Sequence, residues 1–239
     1  MKPVDHLVSV RRDSHRIAGA AQGRLTATVP SCPGWHVADL VWHVGVVQLF
    51  WQLVARGELS GPQAWVEPAR PTDDQLLAWF RTGADTAVDA LAGLDPERPA
   101  WTWGRRHNVG FIRRRVAQET AVHCWDALSA VAADEPIEQR IAADGVDEFL
   151  DEVLPGLSPD LAGPAQTVAL CAGDVGTDWT IRVGRGSAEL TGGRVGADVT
   201  VTATASDLLL LLWGRRPDDD LQVDGEPAAL QRFLARARF

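Results

Sequence analysis

Apolar side chains recur every three to four residues through five stretches of the first two thirds of the chain, the spacing of one helix face. Residues 4–22 place Leu7, Val10, Ser14 and Ile17 on one stripe. A loop over Thr26–Pro33 follows, and Pro33-Gly34 breaks the chain. The second helix is expected to start near Trp35 or His36, with Asp39 in its first turn, where a carboxylate suits the positive helix end. His36, Leu40, His43, Val47 and Phe50 lie on or near one face of it. Thr72-Asp73-Asp74-Gln75 has the form of a capping box and opens a third helix buried along Leu76, Leu77, Phe80, Ala84, Val88 and Leu91. Pro99–Gly110, aromatic, basic and punctuated by glycine, is a loop. A fourth helix runs from Phe111 to about Ala133. A fifth, over about Glu138–Leu154, turns Ile141, Val146, Phe149, Leu150 and Val153 inward. Helices of this kind on short and medium connections predict a bundle.

Past a Pro/Gly-rich connector near Pro155–Pro164 the pattern changes to short β-branched runs between glycines. Thr167–Cys171, Trp179–Val183 and Asp198–Thr204 read as strands, with turns at Gly173-Asp174 and Gly192-Gly193. Ser206 is placed to cap the helix DLLLLLW, and Asp224-Gly225-Glu226-Pro227 introduces a closing helix carrying Leu230, Phe233 and Leu234. The expected fold class is α+β: a helical bundle over residues 1–157, then a small α+β domain with an antiparallel sheet over 165–239.

Composition sharpens this division. All six histidines and eight of the ten tryptophans precede residue 126, so polar chemistry is concentrated in the helical part. The 46% hydrophobic content excludes a disordered chain, and a net charge of −9 opposes wrapping a nucleic-acid backbone. Cys32, Cys124 and Cys171 stand singly, without metal or disulfide spacing, and imply reduced thiols in a cytoplasmic protein. The N-terminus lacks the plan of a signal peptide. No uninterrupted apolar run reaches the roughly 18 residues that span a bilayer, so no membrane partner is expected.

The stretch QETAVHCWDA carries the candidate chemistry. Glu119 and His123 are four residues apart in a helical pattern and therefore share a face, close enough to touch one metal ion. A pair at this spacing also describes a solvated ion pair. A metal site that does chemistry commonly needs a third protein ligand, and His43 on the second helix is the candidate; by itself it also reads as a hydrogen-bonded core histidine. Asp126, three residues past His123, can receive the imidazole's other N–H. Arg115 falls on the same side of the fourth helix. Cys124 points about 100° away from His123 and reads as a buried structural thiol. The run Arg105, Arg106, His107, Arg113, Arg114 and Arg115 is either a solvated face or an attractor of anions. Trp35, Trp42, Trp51, Trp101, Trp103 and Trp125 suit bundle core and pocket wall.

CPGWHVADLVWHV, ETAVHCWD and the tail ADVTVTATASDLLLLLWGRR followed by DGEPAALQRFL resemble the mycothiol-dependent maleylpyruvate isomerase family over nearly the whole chain. The resemblance implies a DinB-like, up-down four-helix bundle that holds a divalent metal, usually zinc, and a sterol-carrier-like C-terminal domain. It matches His43, Glu119 and His123 to the family's metal ligands. It matches Arg215, with Arg216 adjacent, to an arginine that holds a substrate carboxylate. Asp126 is then a catalytic candidate, and Arg115 and Trp42 are candidates for holding the thiol cofactor. One departure is His36, where the family usually has a capping Ser or Thr.

The implied partners are mycothiol and a small electrophile or unsaturated acid, acted on by a monomer or homodimer. A zinc with two neutral imidazoles, one carboxylate and an open position favours an incoming thiol as thiolate. Addition of that sulfur to a conjugated cis double bond, rotation and elimination give the trans isomer, while a thiol S-transferase stops after addition or displacement. The alternative is a non-catalytic small-molecule binding protein with a structural or vestigial metal.

Overall fold

The computed structural model describes residues 5–157, 164–191 and 196–237. The chain divides into two compact units, residues 1–137 and 138–239. The first unit is built from α1 (His6–Ala20), α2 (Val37–Arg56), α3 (Asp73–Ala92) and α4 (Val109–Ser129). α1 and α2 each pack against both α3 and α4, which puts α1 opposite α2 and α3 opposite α4. Consecutive helices joined by the long connections 21–36 and 93–108 are thus diagonal rather than adjacent, and this differs from a simple up-down order. A connection of that length can cross the end of the bundle.

Side chains explain the helix boundaries. His36 occupies the cap position of α2 in extended conformation, and its backbone N–H donates to Asp39 Oδ2 at 2.9 Å. Asp39 is held below the usual carboxylate range by that bond and by Arg70, whose Nη1 lies 2.7 Å away. The carboxylate at the third helical position thus satisfies the backbone N–H of the cap residue, the reciprocal half of a capping box. Gly57 ends the helix at φ 79°, a left-handed turn in which an L side chain would be strained. Thr72 precedes α3, but its side chain makes no capping bond, so the expected capping box is not closed. α4 starts two residues earlier than expected because Asn108 caps it, accepting from the Phe111 N–H at 3.0 Å.

Two apolar clusters fill the bundle. One centres on Ile17, Leu40, Val44, Leu76 and Phe80, the other on Trp51, Leu91, Ile112 and Val116. Between helices runs a polar link: Gln48 Nε2 donates to Ser14 Oγ at 2.9 Å and to Thr120 Oγ1 at 3.1 Å. α2 is long and apolar enough to cross a membrane by composition alone, which counting uninterrupted apolar residues overlooks. Most of its apolar window is buried, the property of a core helix.

Close approach of α2 and α3 depends on Gly45. A Cβ there would overlap the ring of Trp79 and press on Phe80. Trp79 is held in place by packing on Trp42, ring centroids 4.8 Å apart. Gly45→Ala is therefore expected to lower stability by about 1–3 kcal/mol, overpacking outweighing the better helix propensity of alanine. A denaturant midpoint equal to or above wild type would contradict this packing.

In the second unit α5 (Gln139–Glu148) continues as a π-helical turn, Phe149–Val153, and a last turn, Leu154–Gly156. It packs on α6 (Ala205–Leu212), so residues 138–157 belong to the second unit, whereas the sequence pattern joins them to the bundle. Part of the connector, residues 158–163, and the Gly192-Gly193 turn lie outside the described residues. The sheet comprises β1 (Gln166–Ala172), β2 (Thr177–Gly184), β3 (Ser187–Thr191), β4 (Val199–Ala203) and β5 (Gln222–Gly225), in the order β3-β2-β1-β4-β5. Three pairings are antiparallel, whereas β1 and β4 run parallel; the fully antiparallel sheet expected from short strands and turns is corrected to a mixed one. β3 and β5 escaped the pattern because they are the sheet edges, largely exposed and polar. Thr204, not Ser206, caps α6, accepting from the Asp207 N–H at 3.1 Å. α7 (Pro227–Leu234) packs on β1 and β4.

Candidate metal centre

Neighbouring helices α2 and α4 bring three predicted side chains to one point. Nε2 of His43 lies 3.1 Å from Glu119 Oε1, and Nε2 of His123 lies 3.2 Å from the same oxygen. One donor atom from each of the three groups falls within 4.8 Å of the others. Glu119 and His123 meet because they stand one turn apart on α4. Their side chains are 13% and 5% exposed, against 35% for His43, so the cluster is buried on the α4 side and accessible on the α2 side.

The donor set fits a divalent cation. Tetrahedral zinc with bonds near 2.0–2.1 Å keeps its ligand atoms roughly 3.3 Å apart, close to both distances measured from Glu119 Oε1. Two imidazoles and one carboxylate also form a ligand set that catalytic zinc uses with a fourth position open.

Charge is arranged around this set. Burial pushes the Glu119 carboxyl up, but hydrogen bonds to His123 and then His43 overcome it and hold the group well below its ordinary range. Arg115, 3% exposed, adds its Nη2 at 3.4 Å from Glu119 Oε2. Burial disfavours the charged form of His123, yet hydrogen bonds to Asp126, Cys32 and Glu119 raise its imidazole well above the ordinary value.

Without a cation, the depressed Glu119 contributes stability that is complete above the ordinary carboxylate value and lost as pH falls through its folded value. The raised His123 contributes stability that is complete below the ordinary imidazole value and lost as pH rises through its folded value. Both contributions are complete between the two ordinary values. A cation must displace the His123 proton, so metal uptake near neutral pH is expected to release about one proton. Calorimetry in buffers of different ionisation heats reads this; an enthalpy independent of buffer would oppose it.

Nδ1 of His123 faces Asp126, whose Oδ2 is 2.9 Å away and whose side chain is 0% exposed. Trp35 lies beside both imidazoles, its ring centroid 5.0 Å from His43 and 6.2 Å from His123. The sequence pattern placed Trp35 only in a general aromatic wall. Trp42, expected near the thiol, packs on Trp79 and donates its indole N–H to Glu67 Oε1 at 3.1 Å. The arginine run divides: Arg113 Nη2 donates to the Leu91 and Leu94 carbonyls at 2.7 and 2.6 Å, tying down the end of α3, while Arg115 turns to Glu119. Cys124 is buried, and burial pushes its thiol up to about 12. It is a packing residue. In the second unit Arg215 Nη1 donates to the Trp213 carbonyl at 2.9 Å, with its guanidinium 5.7 Å from the Trp213 ring centroid. Arg216 Nε pairs with Asp207 Oδ1 at 2.6 Å.

The family model for the mycothiol maleylpyruvate isomerase N-terminal domain matches residues 9–128, and that for the MDMPI C-terminal domain matches residues 140–232. The chain belongs to the mycothiol-dependent maleylpyruvate isomerase family. Among solved structures, that of the mycothiol-dependent maleylpyruvate isomerase is similar to this family member at 14% identity, covering 93% of each chain with a TM-score of 0.64. A structure of the isomerase with a histidine-to-alanine substitution aligns at 14% identity over 93% of each chain, TM-score 0.63. At this identity the likeness is one of fold. Comparison with curated proteins finds no match.

Proposed function

We propose that this family member is a metal-dependent enzyme that uses mycothiol, a cis-trans isomerase of the maleylpyruvate isomerase type or a related thiol S-transferase. The observation that carries the reading is the convergence of His43, Glu119 and His123 in a chain matched by both family domains. These three side chains would hold a divalent ion, zinc being the cation best suited to the donor set. When bound, such an ion supplies Lewis acidity that keeps an incoming thiol ionised at neutral pH.

The remaining roles belong to the chain itself. Asp126 keeps the His123 proton on Nδ1 and leaves Nε2 as the donor. Arg115 balances the second Glu119 oxygen and preserves the carboxylate in a partly buried setting. Arg115 and Trp42 are the candidates for thiol binding, and Arg215, the position matched by family resemblance to an arginine that approaches the site, would hold a substrate carboxylate through a two-pronged contact. The substrate class is a small electrophile or cis-unsaturated acid.

The test is metal analysis joined to a thiol titration. The protein loaded with Zn2+ or Co2+ should take up mycothiol with a stoichiometry of about one, and Co2+ spectra should change on addition. A protein that binds the cation but no thiol would be a binding protein with a structural metal. Among thiol-binding outcomes, isomerisation that leaves free thiol constant separates an isomerase from a transferase, which consumes it.

A further inference from the structure

The connection between α1 and α2 reaches the flank of the metal cluster with three of its side chains, Ser31, Cys32 and Trp35. It folds back on itself: the Val29 N–H donates to the Trp35 carbonyl at 3.0 Å, Cys32 to Val29 at 3.1 Å, and Trp35 to Cys32 at 3.0 Å. Thr28 and His36 close it as an isolated bridge. Gly34, at φ 86°, permits the turn. From this closed loop Ser31 Oγ donates to Asp126 Oδ1, and Cys32 Sγ donates to Asp126 Oδ2 at 3.7 Å. Oδ2 is also the oxygen that faces His123 Nδ1.

We propose that Ser31 and Cys32 are positioning residues for the metal ligand His123, Ser31 acting through Asp126 and Cys32 both through Asp126 and by its own contact with the imidazole. The inference rests on the metal site proposed above and adds residues to it. A carboxylate in hydrogen-bond contact with a ligating imidazole fixes its tautomer and aim only as well as the carboxylate itself is fixed. Asp126 is on the same helix as His123, three residues away, and needs a second element to set its rotamer. The loop supplies that element: one donor on each carboxylate oxygen, with Trp35 of the same loop against the rings of both imidazoles. The ordinary explanation of these contacts is that a carboxylate with no exposure must be hydrogen-bonded. It requires satisfaction of Asp126 but no effect on metal affinity.

Zn2+ and Co2+ titrations of the full chain distinguish the two. Ser31→Ala and Cys32→Ala should each weaken cation binding by roughly tenfold, at the lower end of the range for groups behind a ligand. Ser31→Thr and Cys32→Ser, which retain a donor, should recover most of the loss. In an Asp126→Asn background Ser31→Ala should not weaken binding further. Melting temperatures of the metal-free variants are measured alongside. The proposal is overturned if wild type binds the cation and both alanine variants bind it equally well, whatever their stability. It is equally overturned if the Ser31→Ala loss persists with Asp126→Asn, or if the donor-retaining variants fail to recover affinity. Failure of wild type itself to take up either cation would instead remove the metal site, and this inference with it.

Discussion

His43→Ala should lower zinc affinity by more than about a hundredfold, because a direct ligand is worth more than the roughly 10- to 100-fold of a group behind one. Competition with a chromogenic chelator measures this. The imidazole is 35% exposed, so truncation leaves no closed cavity, and the metal-free fold should melt close to wild type. Glu119 and His123 would remain on α4 as a pair. Two ligands from one helical turn hold an ion far less well than three from two helices, and thiol uptake should vanish with the metal. Retention of full zinc affinity would refute the assignment of His43.

Arg215→Ala should reduce kcat/KM for carboxylate-bearing substrates by roughly ten- to a hundredfold, since hydrogen bonds to charged groups contribute about 1.5–3 kcal/mol. Arg215→Lys should restore only part of the activity, a point charge replacing a planar fork. Arg216→Ala is the comparison: it removes the pair with Asp207, a partly exposed contact worth at most about 1 kcal/mol of stability, and should leave turnover near wild type. An uncharged ester of the same substrate should be insensitive to Arg215→Ala. Equal losses for acid and ester, or a larger loss from Arg216→Ala, would move the role away from Arg215.

Much of the bundle was legible because its helices have one apolar face, and the i,i+4 rule placed Glu119 beside His123 without any tertiary knowledge. Bringing His43 to them needed the packing of α2 on α4, which periodicity does not encode; the family resemblance supplied that step. The edges of the sheet were lost for a physical reason: Ser187–Thr191 and Gln222–Gly225 are short and largely exposed, and the alternation of Ala188 and Leu190 in the first covers too few residues to stand out. Helix α5 misled in the opposite way. Its inward stripe reports that it is buried, but says nothing about which unit buries it, and its neighbour is α6. Asn108 could have been read as a cap from its place three residues before Phe111. Ser31 and Cys32 could not, since a loop side chain has no period and its partner lies far along the chain.

The diagonal placement of α1 and α2 changes what an ion between His43 and the Glu119–His123 turn would do to the polypeptide. α2 and α4 are joined covalently only by way of α3 and two long connections, so a cation held by both acts as a reversible cross-link over that whole span. Because the unfolded chain lacks the assembled site, the ion would favour the folded bundle by mass action, and its stability would rise with the free ion concentration.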